Sequence, residues 1–194
     1  MNRHPQPEAP ALSQGRPLRS RRQRGLSCLE AMAALAVAAF AAGSAAPSFN
    51  QARERRHLEG AAMQLATDLR YARSLAATHR APVRLRVQVQ GADACYVLHT
   101  GNANQCQCTA AGTATCSGDA QALRVVGFGA SDPVRLTSGS TSLFFDPDRG
   151  TVTPTATIKL RGASGNLIVH QIVNIMGRVR ACSPAGAMPS FPTC

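Results

Sequence analysis

Tryptophan is absent, aromatic residues make up 4% of the chain, and lysine occurs once, at Lys159. Carboxylates are scarce: 10 Asp and Glu stand against 21 Lys and Arg, so the 194 residues carry a formal net charge of +11. With so few aromatic rings, a site that stacks nucleobases is excluded. Long apolar runs are missing save one, which excludes a multi-span membrane protein. Catalytic patterns are missing too. The five His (His4, His57, His79, His99 and His170) stand in no His-x-x-x-His or Cys–His arrangement, and no Gly-x-Ser-x-Gly is present. No Gly-rich phosphate loop precedes a helix. Neither an enzyme nor a cofactor is expected, and no residue is assigned a catalytic role. The hydrophobic fraction of 44% is too high for disorder throughout.

The excess of cations points to an acidic partner, nucleic acid or anionic membrane. It is unevenly placed: residues 1–25 hold six Arg and one Glu, the remainder fifteen cations and nine carboxylates. Residues 1–23 are polar, contain four Pro and show no apolar period, so they cannot pack a core. After Arg24 and Gly25 comes the apolar run, Leu26–Phe49. At about 24 residues it is long enough to cross a bilayer as a helix. Arg19, Arg21, Arg22 and Arg24 precede it, which keeps the N-terminus cytoplasmic and exports the rest. A cleaved secretory signal fits poorly, because Pro47 follows the candidate cut at Ala45-Ala46. Glu30 lies near the cytoplasmic edge of the run. A carboxylate in such a helix costs ~3 kcal/mol at the centre, so it is either functional or snorkels to the interface.

Residues 50–80 continue as an amphipathic helix. Leu58, Ala62, Leu65, Leu69, Ala72 and Ala76 form one stripe at spacings of three and four. Arg53, Glu54, Arg55, Asp68, Arg70 and Arg73 fall off it, as a solvated or interface face would. Ala81-Pro82 stops the helix. The period then becomes two: Val83, Leu85, Val87 and Val89 alternate with Arg84, Arg86 and Gln88, a half-buried strand with an Arg face. Further strands are expected at 95–99, 123–128, 142–145, 155–160 and 167–175. Asp146-Pro147-Asp148-Arg149-Gly150 marks a turn. Residues 100–120 read as a loop. One long helix followed only by strands predicts an α+β fold, the helix covering one sheet face.

Cys28 lies in the apolar run and reads as unpaired. Cys95, Cys106, Cys108, Cys116, Cys182 and Cys194 lie in the exported part, where an even count suggests disulfides. Cys182 with Cys194 would close a short tail; the other four would staple the 100–120 loop, their pairing left open. A zinc site at Cys106-x-Cys108 and Cys116 is the rival, but the spacing fits no standard pattern and no metal is expected. Arg178 and Arg180, two apart, face the same way in an extended segment. They suit bidentate phosphate contact, or are a solvated strand end. Arg161 and Lys159 would extend the patch, and Arg84 with Arg86 is a second candidate face.

Two stretches resemble a known family. Arg24-Gly25-Leu26-Ser27-Cys28-Leu29-Glu30 resembles the class III signal of type IV pilins and type II secretion pseudopilins, with Leu26 in place of the commoner Phe. The resemblance implies that a prepilin peptidase cuts after Gly25 and methylates Leu26. It implies that Glu30, fifth in the mature chain, serves assembly, and that Pro47 is the helix-kinking Pro many pilins carry. The long helix, the antiparallel sheets, the Phe-Asp-Pro-x-x-Gly turn and the ending Asn174-Ile175-Met176-Gly177-Arg178-Val179-Arg180 resemble the GspH/FimT group of minor pilins and pseudopilins, over about residues 24–182. In FimT members a Gly-Arg-x-Arg is linked to DNA binding in natural transformation; here it is Gly177, Arg178 and Arg180.

The resemblance thus implies a leader at 1–25, a transmembrane half-helix at 26–49, a periplasmic pilin domain at 50–182 and a tail at 183–194. It implies a single-pass inner-membrane precursor that joins a pilus or pseudopilus. Its expected partners are major and minor pilins, the prepilin peptidase, the membrane, and double-stranded DNA held through phosphates rather than read by sequence. A minor pseudopilin of a type II secretion system, a tip subunit without DNA binding, is the alternative.

Overall fold

The computed structural model describes residues 27–194, apart from the side chains of residues 44–47 and 185. The expected cut between Gly25 and Leu26, and the Arg cluster before it, lie outside the described residues. Helix α1 spans Cys28–His79. Ser27 sets its start: the Ser27 Oγ accepts the Glu30 N–H at 3.2 Å and the Ser27 carbonyl accepts the Ala31 N–H. Such a hydroxyl supplies an acceptor to first-turn N–H groups that have no partner inside the helix. The helix stops ahead of Pro82, with Arg80 at a φ of 49°. The chain divides into two compact units, one up to Ser44 and one from Ala45. In the first, Leu29, Met32, Leu35, Val37 and Phe40 are all exposed, and α1 is long and apolar enough to cross a membrane.

In the second unit the expected stripe from Leu58 to Ala76 is buried. It packs against two antiparallel sheets. The strands are β1 (Val83–Gln90), β2 (Asp93–Thr100), β3 (Cys106–Cys108), β4 (Ala114–Cys116), β5 (Ala122–Phe128), β6 (Val134–Ser138), β7 (Ser142–Phe145), β8 (Val152–Thr153), β9 (Ala156–Gly162), β10 (Ile168–Val173) and β11 (Val179–Cys182). One sheet runs β5-β2-β1-β7-β8, the other β11-β10-β9-β6. Leu85, Tyr96, Leu98, Leu143 and Phe145 of the first, and Leu136, Ile158, Leu160, Val169 and Val173 of the second, join the helix stripe in one core. Gln171 ties the second sheet to the helix by donating from Nε2 to the Ala62 carbonyl at 2.8 Å. The expected turn at 146–150 forms, and the Asp146 Oδ1 accepts the N–H groups of Asp148 and Arg149.

Four expectations are corrected. Asp68 is not on a solvated face: it is 1% exposed. It accepts hydrogen bonds from the Tyr96 hydroxyl at 2.7 Å, Arg124 Nε at 3.1 Å and Gln64 Nε2 at 3.0 Å. Burial, then that bond to Asp68, holds the Tyr96 hydroxyl protonated far above its ordinary range. Residues 100–120 are not wholly a loop. They contain the β3–β4 hairpin, joined by Cys106–Cys116 and tied to β2 by Cys95–Cys108. This flap lies over the outer face of the first sheet, so close that a Cβ on Gly127 would meet the Ala110 carbonyl oxygen at 2.0 Å. Val134–Ser138 is a strand that the sequence reading passed over. The strand expected through Ile175 ends at Val173; residues 174–178 turn the chain into β11.

The tail after Cys182 folds back. Met188 is buried in the core, Ser183 bridges Thr193, and Cys182 is joined to Cys194. Cys28 is the free cysteine among the described residues.

Candidate nucleic-acid interface

The β10–β11 hairpin presents the Gly-Arg-x-Arg sequence. Its turn is closed by backbone bonds from Gly177 N–H to the Asn174 carbonyl at 2.9 Å and from Asn174 N–H to the Arg178 carbonyl at 3.2 Å. The Asn174 Oδ1 also accepts the Arg178 N–H at 2.9 Å. Gly177 is required here on two counts. Its φ is 68°, where a side chain is strained. A Cβ would also lie 2.9 Å from the Arg73 Cδ and 3.2 Å from the Val152 Cγ2. The second count brings Arg73 of α1 to the motif, which no linear spacing signalled. Arg178 and Arg180 are exposed on either side of the half-buried Val179. The turn is anchored to the other sheet, where the Val152 N–H donates to the Ile175 carbonyl at 2.8 Å.

Register places the other expected cations. Arg180 pairs with Ile172, and Ile172 with Thr157; His170 pairs with Lys159, and Lys159 with Thr137; Ile168 pairs with Arg161, and Arg161 with Arg135. Ala156, Ile158, Leu160 and Gly162 point into the core, so Lys159 and Arg161 point out, both exposed. From strand spacing and rise, Arg180 lies roughly 12 Å from Lys159, and Lys159 roughly 7 Å from Arg161, backbone to backbone. No Asp or Glu occurs on β6, β9, β10 or β11, so every fixed charge carried by these strands is positive. Burial, then the neighbouring Lys159, holds His170 below its ordinary pKa.

The second candidate face does not form. Arg84 donates to the Gly101 carbonyl at 3.2 Å and lies 4.6 Å over the Phe144 ring. Arg86 donates to the Ala103 carbonyl at 2.8 Å and the Asn104 Oδ1 at 2.9 Å. Both guanidiniums hold the segment that leads into the flap, and beneath them His99 is buried. Arg135, a cation outside the Gly-Arg-x-Arg motif, sits beside Arg161. Its guanidinium is turned onto the carbonyls of Gly129 and Ala130.

A family model described as "Type II transport protein GspH" matches residues 61–177, more than half of the chain. The chain belongs to the GspH family.

The matched span begins inside the buried stripe of α1 and ends at Gly177, the first residue of the Gly-Arg-x-Arg hairpin motif. Among solved structures, the GspH-family chain is similar to the type IV minor pilin FimU of Pseudomonas aeruginosa PAO1. Identity is 21% and the TM-score 0.46, over 68% of this chain and 96% of that one. It is also similar to the minor pseudopilin EpsH from the Type 2 Secretion System of Vibrio cholerae, at 13% identity and a TM-score of 0.45, over 66% and 98%. No curated protein matches it. The GspH/FimT resemblance therefore holds at the level of the family, whose members are structural subunits of the minor pilin and pseudopilin kind.

Proposed function

We propose that this GspH-family chain is a minor type IV pilin that grips double-stranded DNA by its phosphates during natural transformation and takes part in pilus assembly. The observation that carries the reading is the outer face of the second sheet, whose strands carry cations and no carboxylate. Arg178 and Arg180 stand on a hairpin held rigid by Gly177 and Asn174, and Lys159 and Arg161 lie on the same face. Guanidinium groups match phosphate oxygens bidentately. With no aromatic platform on these strands, contact is to phosphate and blind to sequence.

In this reading the precursor is a single-pass inner-membrane protein, cut after Gly25 and methylated on Leu26. Glu30 either pairs with a neighbouring subunit's N-terminal amine or orients the incoming helix, since a charge in the bilayer is tolerated when partnered. The chain then enters the pilus beside other pilins. The second reading, a minor pseudopilin without DNA binding, is favoured by the wording of the matching family, a type II transport protein.

Mobility-shift titrations of the full chain in non-ionic detergent, over several salt concentrations, separate the two. Duplexes of unrelated sequence should bind with similar affinity. Arg178→Ala with Arg180→Ala should reduce the slope of log affinity against log salt by about 2. Arg56→Ala is the control for a lost charge, because Arg56 is exposed on α1 opposite the buried stripe. Arg135 would not serve, lying beside Arg161. A parent chain that fails to bind at low salt leaves the pseudopilin reading standing.

A further inference from the structure

On the outer face of the second sheet a groove of about 710 Å³ opens between the β6–β7 connection and β9. Its walls carry the hydroxyls of Thr137, Ser140, Thr155 and Thr157, with the Lys159 ammonium and the His170 imidazole beside them. A second hollow of about 350 Å³ shares Thr155 and Thr157 and runs on to Ile172 and Asn174. Ile172 is the register partner of Arg180, and Asn174 closes the turn that holds Arg178. The two hollows adjoin at Thr155, Ala156 and Thr157, between the Lys159–His170 pair and the arginine hairpin. Hydroxyl donors, a lysine, an imidazole and no carboxylate suit a chain of phosphodiesters, where a small apolar ligand would find little to bury against.

We propose that this groove holds a second stretch of the same DNA backbone that Arg178 and Arg180 grip, with Lys159 and His170 as its cationic wall and Thr157 as a hydroxyl donor. The proposal rests on the DNA reading above and extends it from a hairpin to a track across three strands. His170 gives it a signature. The charged groups on the same face are Lys159 directly across on β9, Arg161 two residues along β9 and Arg180 two residues along β11; the Cys182–Cys194 disulfide, whose Cys194 Sγ lies 3.8 Å from the His170 Nδ1, does not titrate. Burial, then Lys159, lowers the His170 pKa and so favours the neutral imidazole in the free protein. A phosphate in the groove adds a negative charge beside His170 and favours the imidazolium, so DNA binding takes up a proton at His170.

The test is duplex binding by the full chain in non-ionic detergent, measured against salt and between pH 8 and pH 5.5, with circular dichroism confirming the fold at each pH. Lys159→Ala should lower the log–log salt slope by about 1, where Arg56→Ala changes it less. Parent affinity should rise as pH falls, and His170→Gln should flatten that rise. A Lys159→Ala slope equal to that of the parent, or a His170→Gln pH profile equal to that of the parent, overturns the groove. If either occurs while the Arg178/Arg180 double variant still loses affinity, the hairpin reading survives without it. A parent chain that binds no DNA removes both.

Discussion

At the residue scale, Asp68 shows how a polar side chain is built into a core. Its carboxylate accepts from a buried tyrosine, a glutamine one helical turn away and a half-exposed arginine. In Asp68→Ala the Arg124 guanidinium turns back to water and loses little, because exposed ion pairs are worth little. The Tyr96 hydroxyl has no such escape and remains buried without an acceptor. The variant should lose about 2–3 kcal/mol in urea unfolding. Adding Tyr96→Phe should recover about 1 kcal/mol or more, since it removes the orphaned hydroxyl. Strict additivity of the two losses would show that the hydroxyl is not the source. The sequence hid this residue because Asp68 precedes the stripe residue Leu69 and looks like any surface carboxylate. Its acceptors' partners come from β2 and β5, 28 and 56 residues away.

At the scale of elements, legibility followed length and period. The helix stripe and β1 each repeat their signal several times, and both stand where the residues placed them. Strand β6 is five residues long and β8 two, too short to establish alternation. The β3–β4 flap has no apolar period, because its two disulfides do the work that a hydrophobic face does elsewhere. The tail makes the same point. Its cysteines were visible, but not that Met188 enters the core or that the Ser183 hydroxyl bonds the Ile168 carbonyl at 2.8 Å. Cys182 and Cys194, 12 residues apart, close a loop that should stabilise by about 3 kcal/mol. Replacing both with Ala should lower the unfolding free energy by that amount, and non-reduced peptide mapping of the parent should find them linked. Labelling of both by iodoacetamide in the native oxidised chain would refute the bridge.

At the scale of the whole molecule, the proposed processing and assembly concern the N-terminal unit. Intact-mass analysis of the membrane-extracted protein should give Leu26–Cys194 with one added methyl, and a bulky residue at Gly25 should block the cut. An N-terminus near residue 47 would mean an ordinary secretory signal instead. What the sequence determined by itself were features written in nearest neighbours and short periods. These were the apolar run with its Arg cluster, the helix stripe, the change to a period of two after Pro82, and the Gly-Arg-x-Arg motif. Periodicity is a local property, so it survives without knowledge of the fold. What only the tertiary structure decided was which side chains share a surface. It buried Asp68, committed Arg84 and Arg86 to backbone carbonyls, and brought Arg73 to Gly177. It also aligned Lys159, His170 and Thr137 in one row. Register sets that row: a shift of one residue in any of these strands would have turned its cation into the core.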